Sequence, residues 1–500
     1  MIETRLLETR LEYRRLSEEL EGWFTKLENL QQYVTQLRNL KDSLRNLLSR
    51  LEAGLNAAAG SQTPGDLYRA CRVYDSYLTC VRYVWDYYRD KFAQRGGDGP
   101  LADIVKAADE VVWSCYRTPF ENDWVKRRGV SRGPAPLPFV AAWVSPMALF
   151  KDKPLRQVGV EALPDELRTV VIACLDKLPI PVVALTPHSV SSPWAVVHAA
   201  HEVGHYAHRA VASGESALDN FKLALRGAVT KEGEPVEPES PPERWEARAE
   251  EIFADLFSVL MMGPWAVWAL AELLRDTEAG MVDDGINEYP PARVRLALAA
   301  EAAVLSGSPA SHPALTAVAQ GPGGAATTAA GRRAEADLRL VPSVVRAALT
   351  ARLTGLDSLQ GWCDWQPDDY PRQIAAFQRS LAELQEPVLV LPRTPHTSRL
   401  AASGAVAAWA GLRGTLAPAG AGNVQPGAAG GVTVEERALE LRDKFARLVC
   451  QTITKNREEG TRAAPTETLP DPEAVGEAMS DIFLRATGVL ESDAVLGGSQ

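Results

Sequence analysis

This chain of 500 residues has no long hydrophobic run, no paired cysteines and no excess of basic charge, and each absence removes a class of protein. Its most apolar window, Leu256 to Ala271, is bounded by Asp255 and Glu272 and broken by Gly263-Pro264. That falls short of the roughly 20 residues a helix needs to span a bilayer, so no membrane span is expected. The six cysteines, Cys71, Cys80, Cys115, Cys174, Cys363 and Cys450, are scattered without a C-x-x-C pair. They read as free thiols in a reducing compartment rather than as a disulfide framework. A net charge of −11 argues against nucleic acid or an anionic membrane surface as the main partner. Residues Met1 to Arg15 are charged throughout, unlike a secretory signal peptide, and a cytoplasmic protein is expected. From Ala334 onward, Walker loop, dinucleotide fingerprint, zinc ribbon and 20- to 50-residue repeat are all lacking.

Histidine is scarce too, and its distribution is uneven. Of seven in the chain, His198, His201, His205 and His208 fall in one short stretch. There His201-Glu202-Val203-Gly204-His205 reads H-E-x-x-H. Helical residues four apart sit about 40° apart around the axis and about 6 Å apart along it, so two imidazoles there grip one zinc ion from the same side. Glu202 lies beside them as a base. The helix has its own signals: Ser192 suits the N-cap, Pro193 suits the first position, and Trp194, Val197, Ala200, Val203 and Ala207 follow at helical spacing. A metzincin continues with Gly three residues and His six residues after the second histidine. This chain has His208 and Val211 at those places, so the third ligand comes from elsewhere.

A second helix supplies candidates. Trp245, Ala249, Ile252, Phe253, Leu256 and Leu260 make an apolar face, while Arg248, Glu251, Asp255 and Ser258 make a polar stripe. The stripe runs into the apolar segment from Leu256 to Trp268, where buried carboxylates are costly unless paired or metal-bound.

H-E-x-x-H followed by E-x-x-x-D on a second helix resembles the gluzincin zinc metallopeptidases. The run Glu250-Glu251-Ile252-Phe253-Ala254-Asp255 is closest to the branch containing the CaaX prenyl proteases and the HtpX heat-shock protease. The resemblance implies Glu251 as third zinc ligand and Asp255 as the group that orients a ligand histidine. Relatives often carry H-P-P-x-x-x-R, and this chain has Tyr289-Pro290-Pro291-Ala292-Arg293-Val294-Arg295. Arg295 falls in register with the family arginine, whereas Tyr289 replaces the usual histidine; a phenol also donates to an oxyanion. The resemblance covers roughly residues 70 to 310 and rests on three short patches.

The implied activity is zinc-dependent hydrolysis of peptide bonds in a peptide or protein substrate. Zinc on His201, His205 and Glu251 leaves one position for a water whose pKa it lowers to about 7. Glu202 is then the general base, with Tyr289 or Arg295 as oxyanion donor. His198 and His208 read as supporting residues, not ligands. A rival reading is a coiled-coil scaffold or sensor with a structural or inactive zinc site. Glu202 favours the enzyme, because a purely structural site needs no base.

The remainder predicts a mainly α chain with a small sheet. From Leu16 to Leu55 apolar residues step by four and three, with only Lys41 polar, which marks a coiled-coil seam. That seam serves self-association or a partner helix, or equally an antiparallel fold-back onto the chain's own helices. Phe139 to Val144 and Ile180 to Leu185 have strand character. Pro179 and Pro181 suit an edge strand, and in gluzincins such an edge pairs with extended substrate. A short strand is also expected at Val388 to Leu391. The predicted domains are a coiled-coil-like helix over 1–58, a zincin-like metallopeptidase domain over 66–305, a low-complexity linker over 306–333 and a helical region over 334–500 whose role the residues do not reveal.

Overall fold

Apolar residues recur mainly with helical period, and the computed structural model is accordingly mostly helical, with one three-stranded sheet among the described residues. It describes residues 2–496 apart from 28–30, 61–62, 122, 128, 130–131, 143–146, 150–164, 179, 212–216, 231–239, 284–287, 320–327, 354–357, 363–369, 385–395, 417–433 and 458–461. The strand expected at 388–391 lies outside the described residues.

The heptad stretch is not one long helix over 1–58. It forms α1 (Ile2–Leu27) and α2 (Val34–Ala59), which run antiparallel. Glu21 meets Lys41 at 3.1 Å and accepts from Arg45 at 2.5 Å, while Arg10 donates to Asn56 at 2.7 Å. Leu16, Leu20, Leu37, Leu44, Leu48, Leu51 and Leu55 are all buried. Part of their cover is α3 (Pro64–Ala93), started by Thr63, whose hydroxyl accepts from Asp66 N at 3.2 Å. A heptad seam specifies an apolar surface to be covered, not whose surface covers it, and here the chain itself does so.

Next come α4 (Pro100–Glu121), α5 (Asp123–Arg127), β1 (Leu137–Val140), β2 (Met147–Leu149), α6 (Asp165–Leu175) and β3 (Val182–Leu185). The strand order is β1-β3-β2, with β3 parallel to β1 and antiparallel to β2. Expected as an edge, β3 is therefore the central strand. Pro181 stands just ahead of it and contributes its carbonyl, which accepts from Leu137 N at 2.8 Å, so the missing N–H breaks no rung. The edge beside the histidine helix is β2. Alternation along β3 sends Val183 and Leu185 into one apolar core and Val182 and Ala184 into another.

The first core is built around α7 (His188–Ser191), a 3₁₀ segment (Pro193–His198), α8 (Ala199–Val211), α9 (Ala217–Val229), α10 (Pro242–Ala247), α11 (Ala249–Met262), α12 (Pro264–Leu274) and α13 (Ala292–Leu305). The expected linker holds α14 (Pro313–Ala319), with Ala314 and Leu315 buried against α12. Beyond it lie α15 (Ala329–Thr350), α16 (Leu359–Trp362), α17 (Tyr370–Ala382), α18 (Thr397–Leu416), α19 (Val434–Lys455) and α20 (Pro472–Leu496). These do not stand apart as a region over 334–500. Helix α15 packs on α9 and α13, α18 and α19 pack on α4, and α20 returns to α2 and α6. At Gly476 a Cβ would lie 2.7 Å from that of Asn46, which is how closely α20 approaches α2. Among the described residues no helix is long and apolar enough to cross a membrane.

A buried acid clamps the later helices to the earlier ones. Asp337 of α15, fully buried, accepts from Arg248 at 2.9 Å and from Ser240 at 2.5 Å, and meets Arg244 at 3.2 Å. Removing one member of a buried pair strands the charge of the other. Asp337→Ala is expected to cost about 3–5 kcal/mol in urea unfolding of the full chain; a loss near zero would show that the clamp carries no stability.

Candidate metal centre

Helix α8 carries H-E-x-x-H and α11 carries E-x-x-x-D, and the two helices pack directly together. Gly204, the middle residue of Val203-Gly204-His205, makes this possible. A Cβ there would lie 2.9 Å from Ala254 Cα and 3.2 Å from Phe257 Cβ, so only glycine allows the two backbones so close. Ahead of α8 the chain enters as a 3₁₀ turn rather than as the expected N-capped α-helix. The Ser192 hydroxyl makes no cap and instead accepts from Arg442 at 2.5 Å.

This packing brings the sequence-predicted donors together. His201 Nε2 and His205 Nε2 lie 3.2 Å apart, His201 Nε2 is 3.3 Å from Glu251 Oε2, and His205 Nε2 is 3.5 Å from Glu251 Oε1. Tetrahedral zinc with bonds of about 2.0–2.1 Å sets neighbouring donors about 3.3 Å apart. The donor set therefore fits such an ion in both chemistry and spacing. Among the described residues these three form the candidate metal cluster.

Behind the donors stands a chain of charges. His201 Nδ1 meets Asp255 Oδ1 at 2.9 Å, and Asp255 in turn accepts from Arg295 Nε and Nη2, both at 2.8 Å. This is the carboxylate–histidine arrangement that fixes the ring and leaves Nε2 toward a metal. Burial alone would raise Asp255, but Arg295 and His201 hold it well below the usual carboxylate range. Burial likewise opposes ionisation of Glu251, and His201, His205 and Arg295 outweigh it, so its carboxyl also titrates low.

The structure places Arg295 differently from the oxyanion donor expected of it. Two of its nitrogens are committed to Asp255, so its guanidinium positions the acid instead. Tyr289 is partly exposed, with the Arg295 guanidinium carbon 5.8 Å from its ring centroid. Burial and the Glu251 charge push its phenol up to about 12, so it keeps its proton at neutral pH and can donate. Glu202 is buried, and its charge acts on both His201 and Tyr289. His198 and His208 stay outside the cluster. Burial pushes them down to about 4 and about 3, so both are neutral, and His208 packs edge-on to Phe253 at 5.2 Å.

Two contributors escaped the sequence reading. Gly204 was legible as the glycine inside the motif; Glu250 was legible only as the acid preceding Glu251. Glu250 Oε1 lies 3.6 Å from His205 Nδ1 and accepts from Arg209 at 3.1 Å, so each histidine has a carboxylate from α11 behind it and each carboxylate an arginine. In comparisons with known proteins, no family model, curated protein or solved structure matches the chain.

Burial lowers His201, but Asp255 and Glu251 overcome it and raise the ring to about 10. Without metal it is protonated at neutral pH, and an ion must displace that proton. Zinc uptake by the metal-free chain is expected to release about one proton and to tighten about tenfold per pH unit from about pH 7 toward 10. Competition with a chromophoric chelator at each pH measures this; a flat profile would remove His201 from the ligand set. Gly204→Ala is expected to push α11 outward, weaken zinc at least about tenfold and cost about 1–3 kcal/mol of stability. Unchanged zinc affinity in that variant would show that the close approach does not set the site.

Proposed function

We propose that this chain is a zinc-dependent metallopeptidase that hydrolyses peptide bonds, with His201, His205 and Glu251 holding the ion. The observation that carries this reading is the convergence of two Nε2 atoms and one carboxylate at separations of 3.2 to 3.5 Å, with Glu202 next in sequence to one of them. Structural zinc sites are usually closed by four protein ligands, whereas catalytic ones keep a position open. Three donors cluster among the described residues.

When bound, zinc supplies a Lewis acid that lowers the pKa of a water to about 7. Glu202, next to the ligand His201, would be the general base, holding the proton of an attacking water and passing it to the leaving amine. Tyr289 Oη, protonated and within the electrostatic reach of Glu251 and Glu202, would donate to the developing oxyanion. Asp255 and Arg295 hold the His201 ring in place. Strand β2, at the edge of the sheet among the described residues and packed beside α8, suits backbone pairing with an extended peptide, taking the part expected of Ile180 to Leu185. Free, buried thiols at Cys71, Cys80, Cys115, Cys174 and Cys450 support a cytoplasmic setting.

Glu202→Gln separates holding the metal from using it. The variant is expected to retain about one zinc per chain, while its cleavage of a peptide library falls by about 10²–10⁴-fold. A variant that cut the same peptides at the wild-type rate would overturn the assignment of Glu202. A zinc-loaded wild type that cut nothing would overturn the peptidase reading itself.

A further inference from the structure

At the opposite end of α11 from Glu251, roughly 15 Å along the axis, a cavity of about 610 Å³ opens between α11, α12, α14, α17 and α18. Its size lies within the range of about 300–1,000 Å³ typical of small-molecule sites. Leu260, Trp265, Trp268, Tyr370, Ile374 and His312 supply its larger walls. The cavity is partly open to solvent, so a ligand can reach it from outside the fold.

The lining restricts what enters. Among the described residues around the cavity there is no Asp, Glu, Lys or Arg. An ionised ligand would leave water without meeting a counter-charge from Asp, Glu, Lys or Arg among these residues, which favours an uncharged one. The indoles of Trp265 and Trp268 offer aromatic surface suited to rings. Tyr370 is not an available donor, since its hydroxyl is committed to Met262 O at 2.6 Å. His312 is available. Its Nδ1 accepts from Ala314 N at 3.2 Å, which puts the ring proton on Nε2, and burial lowers its pKa, so it stays neutral.

We infer that this cavity binds an uncharged, ring-bearing lipophilic molecule, seated against Trp265 and Trp268 and hydrogen-bonded through an acceptor to His312 Nε2. The walls join the end of α11 to α17 and α18, so an occupant braces the later helices against the helix that carries Glu251. The inference does not depend on the peptidase reading.

The test is a pair of dyes that differ by one charged group. N-phenyl-1-naphthylamine is neutral, and 8-anilinonaphthalene-1-sulfonate adds a sulfonate to the same rings. The full chain is expected to bind the neutral dye saturably, at about one per chain and about 10 µM or tighter, and the sulfonate at least about tenfold more weakly. Ala375→Phe and Ala410→Phe, on half-buried positions lining the cavity, fill it from two helices, so one remains informative if the other misfolds. Each folded variant is expected to lose at least about tenfold in neutral-dye affinity while keeping the wild-type zinc content. No saturable binding, equal affinity for the two dyes, or wild-type affinity in a folded, filled variant would each overturn the inference.

Discussion

The nearness of α11 to α8 is the constraint on which the site depends. Two helices packing through ordinary side chains stand about 8–10 Å apart. At Gly204 there is no room for a side chain, because a Cβ would lie only 2.9 Å from Ala254 Cα. That contact sets Glu251 and Asp255, on either side of Ala254 along α11, against the histidines of α8. Had α11 been held off by one methyl group, the carboxylate would no longer reach both imidazoles.

Bringing acids into so apolar a place requires compensation, and the compensation is local. Asp255 and Glu251 are buried among Ile252, Phe253, Leu256 and Phe257, yet each faces cations, His201 and Arg295 chief among them. The same solution recurs where Asp337 meets Arg244 and Arg248, and where Asp109 receives Arg95 at 2.7 Å and Tyr33 at 2.8 Å. In each of these clusters the buried acid is hydrogen-bonded to cations or donors rather than left alone, as burial demands.

The later helices are part of the site's frame. Met262 O, at the end of α11, accepts from Tyr370 at 2.6 Å and from Ser403 at 2.9 Å. At the entry to α8, Trp194 stacks on Trp409 with centroids 4.0 Å apart, and Arg442 donates to Ser191 O and Ser192 Oγ. Both helices that carry the donors are thus held by Tyr370, Ser403, Trp409 and Arg442. The later half of the chain positions the earlier half, and the two cannot be assigned to independent domains.

Much of this was written in local pattern. The spacing of His201 and His205 already placed two imidazoles on one side of a helix, and the stripe of Glu251 and Asp255 already placed two acids on another, because helical geometry is set by hydrogen bonds within a few residues. What local pattern could not say was which surface covers which. The seam from Leu16 to Leu55 reads the same for a long coiled coil and for a hairpin, and only the arrival of α3 and α20 decides for the hairpin. Prolines before β3 suggested an edge, yet backbone pairing on both sides makes it central. Arg295 was identified as important, but its partner, Asp255, is 40 residues away in sequence. The amino-acid order by itself determined the helices and the donor atoms they present; tertiary packing alone decided that those atoms meet, because their separation depends on contacts between segments far apart in the chain.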